Sequence, residues 1–471
     1  MIALTLDRIA EITQSRLSGS ARPTDVVSGP VVIDSRLAEP GSLFVALSGE
    51  RADGHDFAES AVAAGAAAVL GSRPVAAPQL LAEGGDEGVV AALGRLARAV
   101  AGELTDADIV GVTGSSGKTT TKDLLAQVLS GLGSTIAPAG SLNNEIGHPL
   151  TVLRADESTR FIVLEVAARG RGHIAHLCTI APPRIGVVLN VGSAHVGEFG
   201  SRAAIAQAKG ELVEALPAAA DGGVAVLNAD DDAVIAMAAR TSARVVSYGL
   251  APEADVRAED VRLDAAGRAA FTLRLGGGSA PVRLALVGAH QVHNALAVAA
   301  VAAEFGMGAE AVAEALGKAG PVSRWRMEVS ELPDGVTLVN DAYNANPESV
   351  AAALRTLEAI SADGRRPLAV LGVMAELGAA HDEEHRAAGR LAARAGAAAL
   401  VVVGDDAAPI AEGAREVPEW RGEVVRVPDA AQAAAALRAR LRAGDVVMVK
   451  GSRVAGLEKV AELLMSGEDA K

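Results

Sequence analysis

The chain of 471 residues has few aromatic side chains, a single cysteine and no long apolar run. Aromatic residues make up only 2%, so the interior must be built mainly from Ala, Val and Leu. Cys178 cannot form an internal disulfide and no Cys/His signature surrounds it, which favours a buried thiol over a catalytic one and fits a reducing compartment. No segment reaches the roughly 18 to 20 uninterrupted apolar residues of a membrane span, and the first residues lack the pattern of a signal peptide. We therefore predict a cytoplasmic protein without membrane insertion.

Positive charge is also scarce, with 43 Lys and Arg against 58 Asp and Glu and a formal net charge of −15. Proteins that bind nucleic acid usually present a basic face, so this balance argues against a nucleic-acid partner. Anionic small ligands must then be met by local cations and a metal ion. The length exceeds what one core supports and predicts about three domains.

What the chain does contain is a phosphate-binding loop, Thr-Gly-Ser-Ser-Gly-Lys-Thr-Thr, between an apolar run at 108–112 and leucines at helical spacing. Its small residues let backbone N–H groups close on a polyphosphate, Lys118 reaches the outer phosphates, and the hydroxyl of Thr119 can hold Mg²⁺. An ordinary Gly/Ser turn is the alternative, which the order of strand, turn, Gly-Lys-Thr and helix disfavours. Val112 stands where the common pattern has glycine, which points away from switch GTPases and motor ATPases. The loop residues are Thr113, Gly114, Ser115, Ser116, Gly117, Lys118, Thr119 and Thr120.

Apolar runs and their punctuation predict an α/β protein of three domains. Residues 1–100 mix short strands with an Ala-rich helical stretch around 58–68, and the Gly/Pro-rich stretch at 71–88 indicates a loop or a domain margin. Residues 101–320 alternate apolar runs with helical segments, the rhythm of a parallel sheet covered by helices. Residues 321–471 repeat that rhythm after a Gly-Pro pair, which predicts a separate doubly wound, Rossmann-like domain with a hinge before it.

Polar residues stand where two strands of the middle domain end. Glu165 closes the run at 161–164, and Asn190 leads into a loop that contains His195. Ligands of open parallel sheets bind at the carboxyl ends of the strands. A carboxylate and an imidazole beside Thr119 are sensible ligands for one or two magnesium ions. Each signal alone is weak, because a lone Glu is usually a solvated cap and a lone His a surface residue, but the phosphate loop reverses that preference.

Across almost its whole length the sequence resembles the Mur ligase family, and within it the branch that adds a dipeptide. The resemblance is carried, in the family's order, by the segments at 111–121, 141–147, 190–195, 208–212, 288–295 and 340–349. The last segment, Asn-Asp-Ala-Tyr-Asn-Ala-Asn-Pro-Glu-Ser, is similar to the dipeptide-adding branch, and the Asp-Asn-Pro-Arg motif expected of relatives that add a single amino acid is absent.

The resemblance implies an amide ligase that uses ATP and Mg²⁺ to join D-alanyl-D-alanine to UDP-N-acetylmuramoyl-tripeptide through an acyl phosphate. Its product would complete the cytoplasmic muramoyl-pentapeptide precursor of peptidoglycan. It further implies a UDP-binding first domain, a central ATPase domain and a monomer. Whether the tripeptide ends in lysine or diaminopimelate stays open.

Catalytic and metal-binding roles are also implied by the resemblance. Lys118 would hold the ATP phosphates, Thr119 and Glu165 would ligate one magnesium ion, and His195 would bind a second. Lys209 resembles the family lysine that reacts with carbon dioxide to become a carbamate, an anion that helps to position magnesium. Periodicity alone would make Lys209 a routine solvated residue on a helix.

Nucleotide and substrate contacts are implied in the same way. Asn294 resembles the contact to adenine, while Arg324 and Asp341 resemble third-domain groups that close on phosphate and ribose. The implied substrate-binding residues are Ser35, Arg36, Asn143, Asn144, Tyr343, Asn344, Asn346 and Lys450. On composition alone the first two belong to a turn beside a strand, and Lys450 to a solvated basic turn.

The chain departs from the family pattern at Val373, where an acid is common, and Glu376 is the nearest remaining carboxylate. The polar cluster at 382–385 is more typical of a solvated helix start than of a metal site. Two alternatives remain open: a related amino-acid-adding or folylpolyglutamate-type ligase, which the run at 343–347 disfavours, and a nucleotide-driven switch or motor. The switch lacks an Asn-Lys-x-Asp guanine motif.

Overall fold

A computed structural model describes residues 1–49, 52–193 and 196–466 and shows an α/β protein of three domains. Three large sheets follow one another along the chain, and a two-stranded ribbon accompanies the first. Within these residues no helix combines the length and the apolar character that crossing a bilayer requires.

The first domain holds a five-stranded sheet in the order β2-β7-β6-β5-β4 and the ribbon β1-β3. Its strands are β1 (Leu4–Thr5), β2 (Arg16–Ser18), β3 (Val26–Val27), β4 (Val31–Val32), β5 (Leu43–Val45), β6 (Ala68–Gly71) and β7 (Gln79–Leu81). Its helices are α1 (Leu6–Thr13), α2 (Ala58–Ala63) and α3 (Gly85–Glu103).

Two expectations for the first domain hold only in part. The helical stretch around 58–68 ends early, because Gly65 turns the chain at φ +115°, where a Cβ would lie 2.8 Å from the backbone nitrogen of Pro40, and Ala68 already begins β6. The stretch at 71–88 is a loop only in part, since it also contains β7 and the start of α3. The apolar face of α3 belongs to one core cluster with residues of the central domain.

The central domain holds a nine-stranded sheet in the order β16-β15-β14-β13-β12-β11-β8-β10-β9. Its strands are β8 (Asp108–Thr113), β9 (Thr135–Ile136), β10 (Phe161–Glu165), β11 (Ile185–Val188), β12 (Val224–Asn228), β13 (Arg244–Gly249), β14 (Val256–Leu263), β15 (Arg268–Leu275) and β16 (Gly278–Val287). Its helices are α4 (Lys118–Ser130), α5 (Gly147–Val152), α6 (His173–Ile180), α7 (Val196–Phe199), α8 (Arg202–Glu214), α9 (Asp232–Ile235), α10 (Gln291–Glu304) and α11 (Ala309–Lys318).

The parallel rhythm predicted for this domain holds from β8 to β14, but β15 and β16 pair antiparallel. These strands bury every second residue, including Ala280, Val282, Leu284 and Leu286 of β16. One covered face and one solvated face are typical of an antiparallel extension rather than of a strand covered on both faces.

The third domain holds a six-stranded sheet in the order β17-β18-β22-β19-β20-β21, with only β17 antiparallel to its neighbour. Its strands are β17 (Glu328–Leu332), β18 (Val336–Asp341), β19 (Pro367–Leu371), β20 (Ala399–Val403), β21 (Glu423–Val427) and β22 (Val446–Lys450). Its helices are α12 (Pro347–Ile360), α13 (His381–Arg394), α14 (Ala408–Arg415), α15 (Ala430–Arg438) and α16 (Glu458–Ser466).

The polar cluster at 382–385 lies in the first turns of α13, where three acids complement the positive end of the helix. His385 differs from its neighbours, because its ring is buried against the loop after β19. Its Nε2 accepts a hydrogen bond from the backbone of Met374 at 2.9 Å, and its Nδ1 lies 2.6 Å from the carbonyl oxygen of His381. Burial lowers the pKa of His385, so this imidazole is a structural part of the helix start.

Candidate nucleotide and ligase site

The phosphate loop lies between the end of β8 and the start of α4, and Asn190 at the end of β11 holds its shape. The backbone N–H groups of Ser115 and Ser116 both donate to Asn190 Oδ1 at 2.9 Å. Lys118 Nζ donates to the carbonyl of Gly114 at 2.7 Å. Burial lowers the pKa of Lys118. The negative charge of Glu165 raises this pKa in part, and the positive charge of Arg326, a residue of the third domain, lowers it further. The loop is therefore preformed around the half-buried amino group of Lys118.

The predicted metal ligands Thr119 and Glu165 are in direct contact. Thr119 Oγ1 donates to Glu165 Oε2 at 3.0 Å, and Glu165 is buried with 2% of its surface exposed. Asn143 Nδ2 donates to Glu165 Oε1 at 2.8 Å, and Ser141 Oγ lies 3.1 Å from Thr119 Oγ1. A hydroxyl and a carboxylate side by side suit Mg²⁺, which accepts one or two protein oxygens and takes its other ligands from water and phosphate.

No group of three or more His, Cys, Asp or Glu side chains in the described part of the chain is arranged to hold a metal ion. His195, predicted for a second magnesium ion, lies outside the described residues. A site for Mg²⁺ built on Thr119 and Glu165 would take its further ligands from water and phosphate.

Lys209 lies on α8 and is buried, with 6% of its surface exposed. This burial contradicts the solvated surface residue that helix periodicity alone would give. Burial and the positive charge of Lys118 lower the pKa of Lys209 well below its ordinary value. A larger share of Lys209 is therefore the uncharged, nucleophilic amine at neutral pH than for a solvated lysine.

The third domain sends Arg326 into the site. Its Nη2 donates to Thr119 Oγ1 at 3.0 Å, and its guanidinium lies 4.0 Å from the centre of the Tyr343 ring. Arg324, predicted for this place, is exposed beside Trp325 and does not line the cavity. The difference arises because Trp325 and Met327 have φ values of +59° and +51°, a twisted backbone that spacing alone does not reveal.

Asp341 and Lys450 end the neighbouring strands β18 and β22 and pair across them. Lys450 Nζ donates to Asp341 Oδ2 and, at 3.0 Å, to the carbonyl of Asn344. Asp341 Oδ1 also accepts the backbone N–H of Met327 at 3.2 Å. Lys450 is therefore a buried partner of Asp341 rather than a solvated basic turn, and both residues line the cavity.

Two further residues of the segment at 340–349 reach the central domain. Asn346 Nδ2 donates to the carbonyl of Ser115 at 3.3 Å. Glu348 Oε1 accepts the backbone N–H of Ser193 at 2.6 Å, and its carboxyl group covers Gly192, where a Cβ would lie 2.6 Å from Glu348 Cδ. The third domain thus closes on the phosphate loop.

The two domains enclose a cavity of about 740 Å³. Asn294 lines it from the first turn of α10, with Nδ2 donating to Gln291 Oε1 at 2.8 Å. His290 also lines it, although the sequence analysis gave it no role. Its Nδ1 is buried without a hydrogen-bond partner among the described residues, and burial lowers its pKa to about 4.

The structure separates other predicted substrate residues from this cavity. Ser35 and Arg36 lie on a turn after β4 in the first domain, where Arg36 is exposed and pairs with Asp34. Asn144 does not line the cavity, because its Oδ1 accepts the backbone N–H of Gly147 at 2.9 Å at the start of α5. Tyr343, Asn344 and Asn346 all line it.

Val373, where the chain departs from the family pattern, has a structural role: its carbonyl accepts the backbone N–H of Ser452 at 2.9 Å. Glu376 lines the cavity on a backbone with φ of +65°, and its carbonyl accepts the N–H of Gly197 at 3.0 Å. Glu376 is therefore a carboxylate residue at the cavity close in sequence to Val373.

Gly117→Ala is expected to destabilise the phosphate loop by about 1 to 3 kcal/mol, the range for a strained backbone position, and so to weaken ATP binding. Gly117 has φ +84°, and a Cβ there would lie 2.6 Å from Asn294 Oδ1. Calorimetric titration with ATP checks this. Gly102→Ala is the control, since a Cβ at that helical position would meet nothing within 4 Å. Equal ATP affinity in both variants would contradict the expectation.

Three family descriptions match the chain: "Mur ligase family, catalytic domain" over residues 30–104, "Mur ligase middle domain" over 112–302, and "Mur ligase, glutamate ligase domain" over 325–453. The UDP-N-acetylmuramoyl-tripeptide--D-alanyl-D-alanine ligase of Mycobacterium tuberculosis H37Rv is 50% identical, with 99% of each chain covered. The ligase of the same name from Escherichia coli K12 is 36% identical over 98% of this chain and 99% of its own.

Solved structures agree with these sequence relatives. MurF from Acinetobacter baumannii matches with a TM-score of 0.86 and 30% identity, covering 98% of this chain and 99% of that one. MurF ligase from Thermotoga maritima in complex with ADP matches with a TM-score of 0.80 and 30% identity, covering 93% and 98%.

Proposed function

The chain belongs to the Mur ligase family, and we propose that it is the member that joins D-alanyl-D-alanine to UDP-N-acetylmuramoyl-tripeptide with ATP as the energy source. The observation that carries this proposal is the segment at 340–349, which lies across the phosphate loop. Asn346 contacts the carbonyl of Ser115, and Tyr343 lies beside Arg326. The residues typical of the dipeptide-adding branch therefore face the place where a phosphoryl group would be transferred.

The reaction begins from an unreactive group, because a carboxylate is a poor electrophile for an amine. The terminal carboxylate of the tripeptide attacks the γ-phosphorus of ATP, the bond to ADP breaks, and an acyl phosphate forms. Lys118 and Arg326 supply positive charge at this end of the cavity, where charge spreads over the transferred phosphoryl oxygens. The free amine of D-alanyl-D-alanine then attacks the acyl carbon, loses a proton, and inorganic phosphate leaves as the amide forms.

Thr119 and Glu165 would hold Mg²⁺, which supplies further positive charge to the phosphates when bound. Support comes from their direct contact and from Asn143 and Ser141, whose hydrogen bonds orient them. We further propose that His195 binds a second Mg²⁺ and that a carbamate on Lys209 helps to position the metal. The burial and lowered pKa of Lys209 support the amine chemistry that the carbamate requires.

Closure of the third domain would keep water from the acyl phosphate. Three hydrogen bonds between the third and central domains support this closure. Glu348 accepts the N–H of Ser193, Asn346 donates to the carbonyl of Ser115, and Arg326 donates to Thr119. The hinge predicted after Gly320 fits this role. Asn294 would contact adenine and Asp341 the ribose, since both line the cavity together with the phosphate loop.

Ser35 and Arg36 would bind the uridine nucleotide from the first domain, and the cavity would take the peptide end of the same substrate. A cytoplasmic location and a monomeric state complete the proposal. The proposed use of ATP and a UDP-linked sugar substrate supports the cytoplasmic location. Light scattering of the purified chain tests the monomer.

The function is tested by offering the purified protein UDP-N-acetylmuramoyl-tripeptide with D-alanyl-D-alanine, with single amino acids, or folate with glutamate, and by measuring phosphate release. We expect release that depends on the dipeptide, with both lysine- and diaminopimelate-terminated donors tried. Selective turnover of folate would identify the folylpolyglutamate-type alternative. Steady hydrolysis without any acceptor amine would instead support a nucleotide switch.

A mechanistic arm of the same assay uses a donor whose terminal carboxylate carries oxygen-18. Attack on ATP makes one of these oxygens the bridge to phosphorus, so it leaves with inorganic phosphate when the amine displaces it. We expect one label per phosphate released, measured by mass spectrometry. Unlabelled phosphate accompanied by amide formation would rule out the acyl phosphate.

A further inference from the structure

The linker between the central and third domains is bound along one face of α4, the helix that starts at the phosphate loop. Gln127 forms two hydrogen bonds with Gly320: its Nε2 donates to the carbonyl at 2.9 Å, and its Oε1 accepts the N–H at 3.0 Å. One turn earlier, Asp123 Oδ2 accepts the backbone N–H of Ser323 at 3.2 Å.

One further turn toward the phosphate loop, Thr119 accepts the hydrogen bond from Arg326. Residues 119, 123 and 127 are four apart, so they share one face of the helix. The linker therefore runs antiparallel to α4, with one contact per helical turn. Its last contact is at the predicted magnesium ligand.

Both sides of this contact are held rigidly. Lys122, with 2% of its surface exposed, pairs with Asp123 and also donates to the carbonyl of Pro138 at 2.9 Å. On the linker, Trp325 and Met327 adopt positive φ, which is costly for non-glycine residues and persists only where surroundings fix it.

Hydrogen bonds fix this twisted backbone at both positions. The N–H of Trp325 donates to Glu328 Oε2 at 3.0 Å, and the N–H of Met327 donates to Asp341 Oδ1 at 3.2 Å. The segment on either side of Arg326 is consequently held in one conformation. Its placement along α4 then depends on the contacts at Asp123 and Gln127.

We propose that Asp123 and Gln127 are positioning residues for phosphoryl transfer, because they fix the register of the linker at 320–326 along α4 and so set where Arg326 meets the phosphate site. This inference rests on the proposed function. Neither residue touches the phosphate loop through its side-chain contacts described above, so both act through the linker. A small displacement of a charged group at a reacting centre is enough to slow the chemical step strongly.

The test is a double-mutant cycle between Gln127→Met, which keeps side-chain length but removes both hydrogen bonds, and Arg326→Ala. We expect Gln127→Met alone to lower kcat for dipeptide-dependent phosphate release by about 10- to 100-fold, with a smaller change in the KM for ATP. In the Arg326→Ala background the same change should alter kcat by less than about twofold, because the group that Gln127 positions is already gone. Ser130→Ala on the same helix is the control, because its exposed hydroxyl donates to the backbone carbonyl of Gln127 at 2.7 Å and not to the side chain that holds Gly320.

A readout independent of activity accompanies the cycle. Hydrogen exchange at the N–H groups of Gly320 and Ser323 should be faster in Gln127→Met than in the parent protein, and unchanged in Ser130→Ala. Gln127→Glu keeps the acceptor for the Gly320 N–H and loses the donor, so we expect an intermediate kcat. This second variant also serves if Gln127→Met fails to fold, as judged by its thermal unfolding.

Equal losses of kcat in both backgrounds would overturn the positioning role and leave Gln127 a residue of general stability. Unchanged kcat in Gln127→Met and Gln127→Glu would overturn it as well. A parent protein without dipeptide-dependent phosphate release would instead refute the proposed function. In that case, hydrogen exchange at Gly320 and Ser323 that is no faster in Gln127→Met than in the parent protein would separately refute the proposed contact between the linker and α4.

Discussion

Lys209→Ala is expected to lower ligation by about 100- to 1,000-fold, the loss typical of removing one preorganised electrostatic group from a reacting centre. Lys209 is buried on α8, and burial together with Lys118 lowers its pKa well below the ordinary value. The uncharged amine can attack carbon dioxide: the N–C bond forms as one C=O π bond breaks, the nitrogen loses a proton, and the neutral amine becomes a carbamate anion. The alanine variant cannot form that anion, and steady-state phosphate release measures the loss.

Lys209→Arg separates the carbamate from a simple cation at this position. Arginine keeps the positive charge and does not form a carbamate under these conditions, so we expect the same loss as with alanine. Added formate or acetate should restore part of the activity of Lys209→Ala, and ¹³C-bicarbonate should give a carbamate signal only in the parent protein. Lys318→Ala, at a solvated pair with Glu314, controls for loss of a lysine. Full activity in Lys209→Arg would eliminate the carbamate.

The fold follows from the sequence wherever apolar runs are long and evenly punctuated. The apolar runs at 108–112 and 161–164 predict strands, and the structure has strands at Asp108–Thr113 and Phe161–Glu165. The extension at 256–287 is not predicted by apolar runs, because β14 and β15 place charged or polar residues between their apolar ones, and β16 places Ser279, Pro281 and Arg283 between buried positions. Period-two alternation is the signal that identifies such strands.

Composition fails to predict the short strands for a different reason. The strand Gln79–Leu81 has three residues inside a Gly/Pro-rich stretch, and only its sheet neighbours give it hydrogen-bonding partners. Local composition therefore indicates a loop, whereas pairing with the neighbouring strands of the sheet stabilises a strand.

The site shows the same division between local and tertiary information. The contact between Thr119 and Glu165 follows from strand order, since parallel strands present their carboxyl ends at one edge. Arg326 rather than Arg324 contacts Thr119, and it does so between two residues with positive φ, which the sequence Ser-Arg-Trp-Arg does not indicate. Likewise, Glu348 covers Gly192 only because the third domain closes on the central one.

Lys118→Met is expected to reduce kcat/KM by about 1,000-fold, in the range found when a cation that stabilises the transferred phosphoryl group is removed. Lys118 Nζ lies 2.7 Å from the carbonyl of Gly114 inside the preformed loop, so methionine fills similar space without the charge. The backbone N–H groups of the loop remain, and ATP should still bind, as calorimetric titration would register. Lys318→Met serves as the solvated control.

The step at which the Lys118→Met variant fails identifies the role of the charge. With the oxygen-18 donor, a single-turnover experiment should show slow appearance of labelled phosphate and no accumulation of acyl phosphate, because the first phosphoryl transfer is the step that loses its cation. Rapid acyl phosphate formation followed by slow amide release would place Lys118 in the second step instead. Such a result would leave Arg326, which the linker holds at Thr119, as the main cation of the first step.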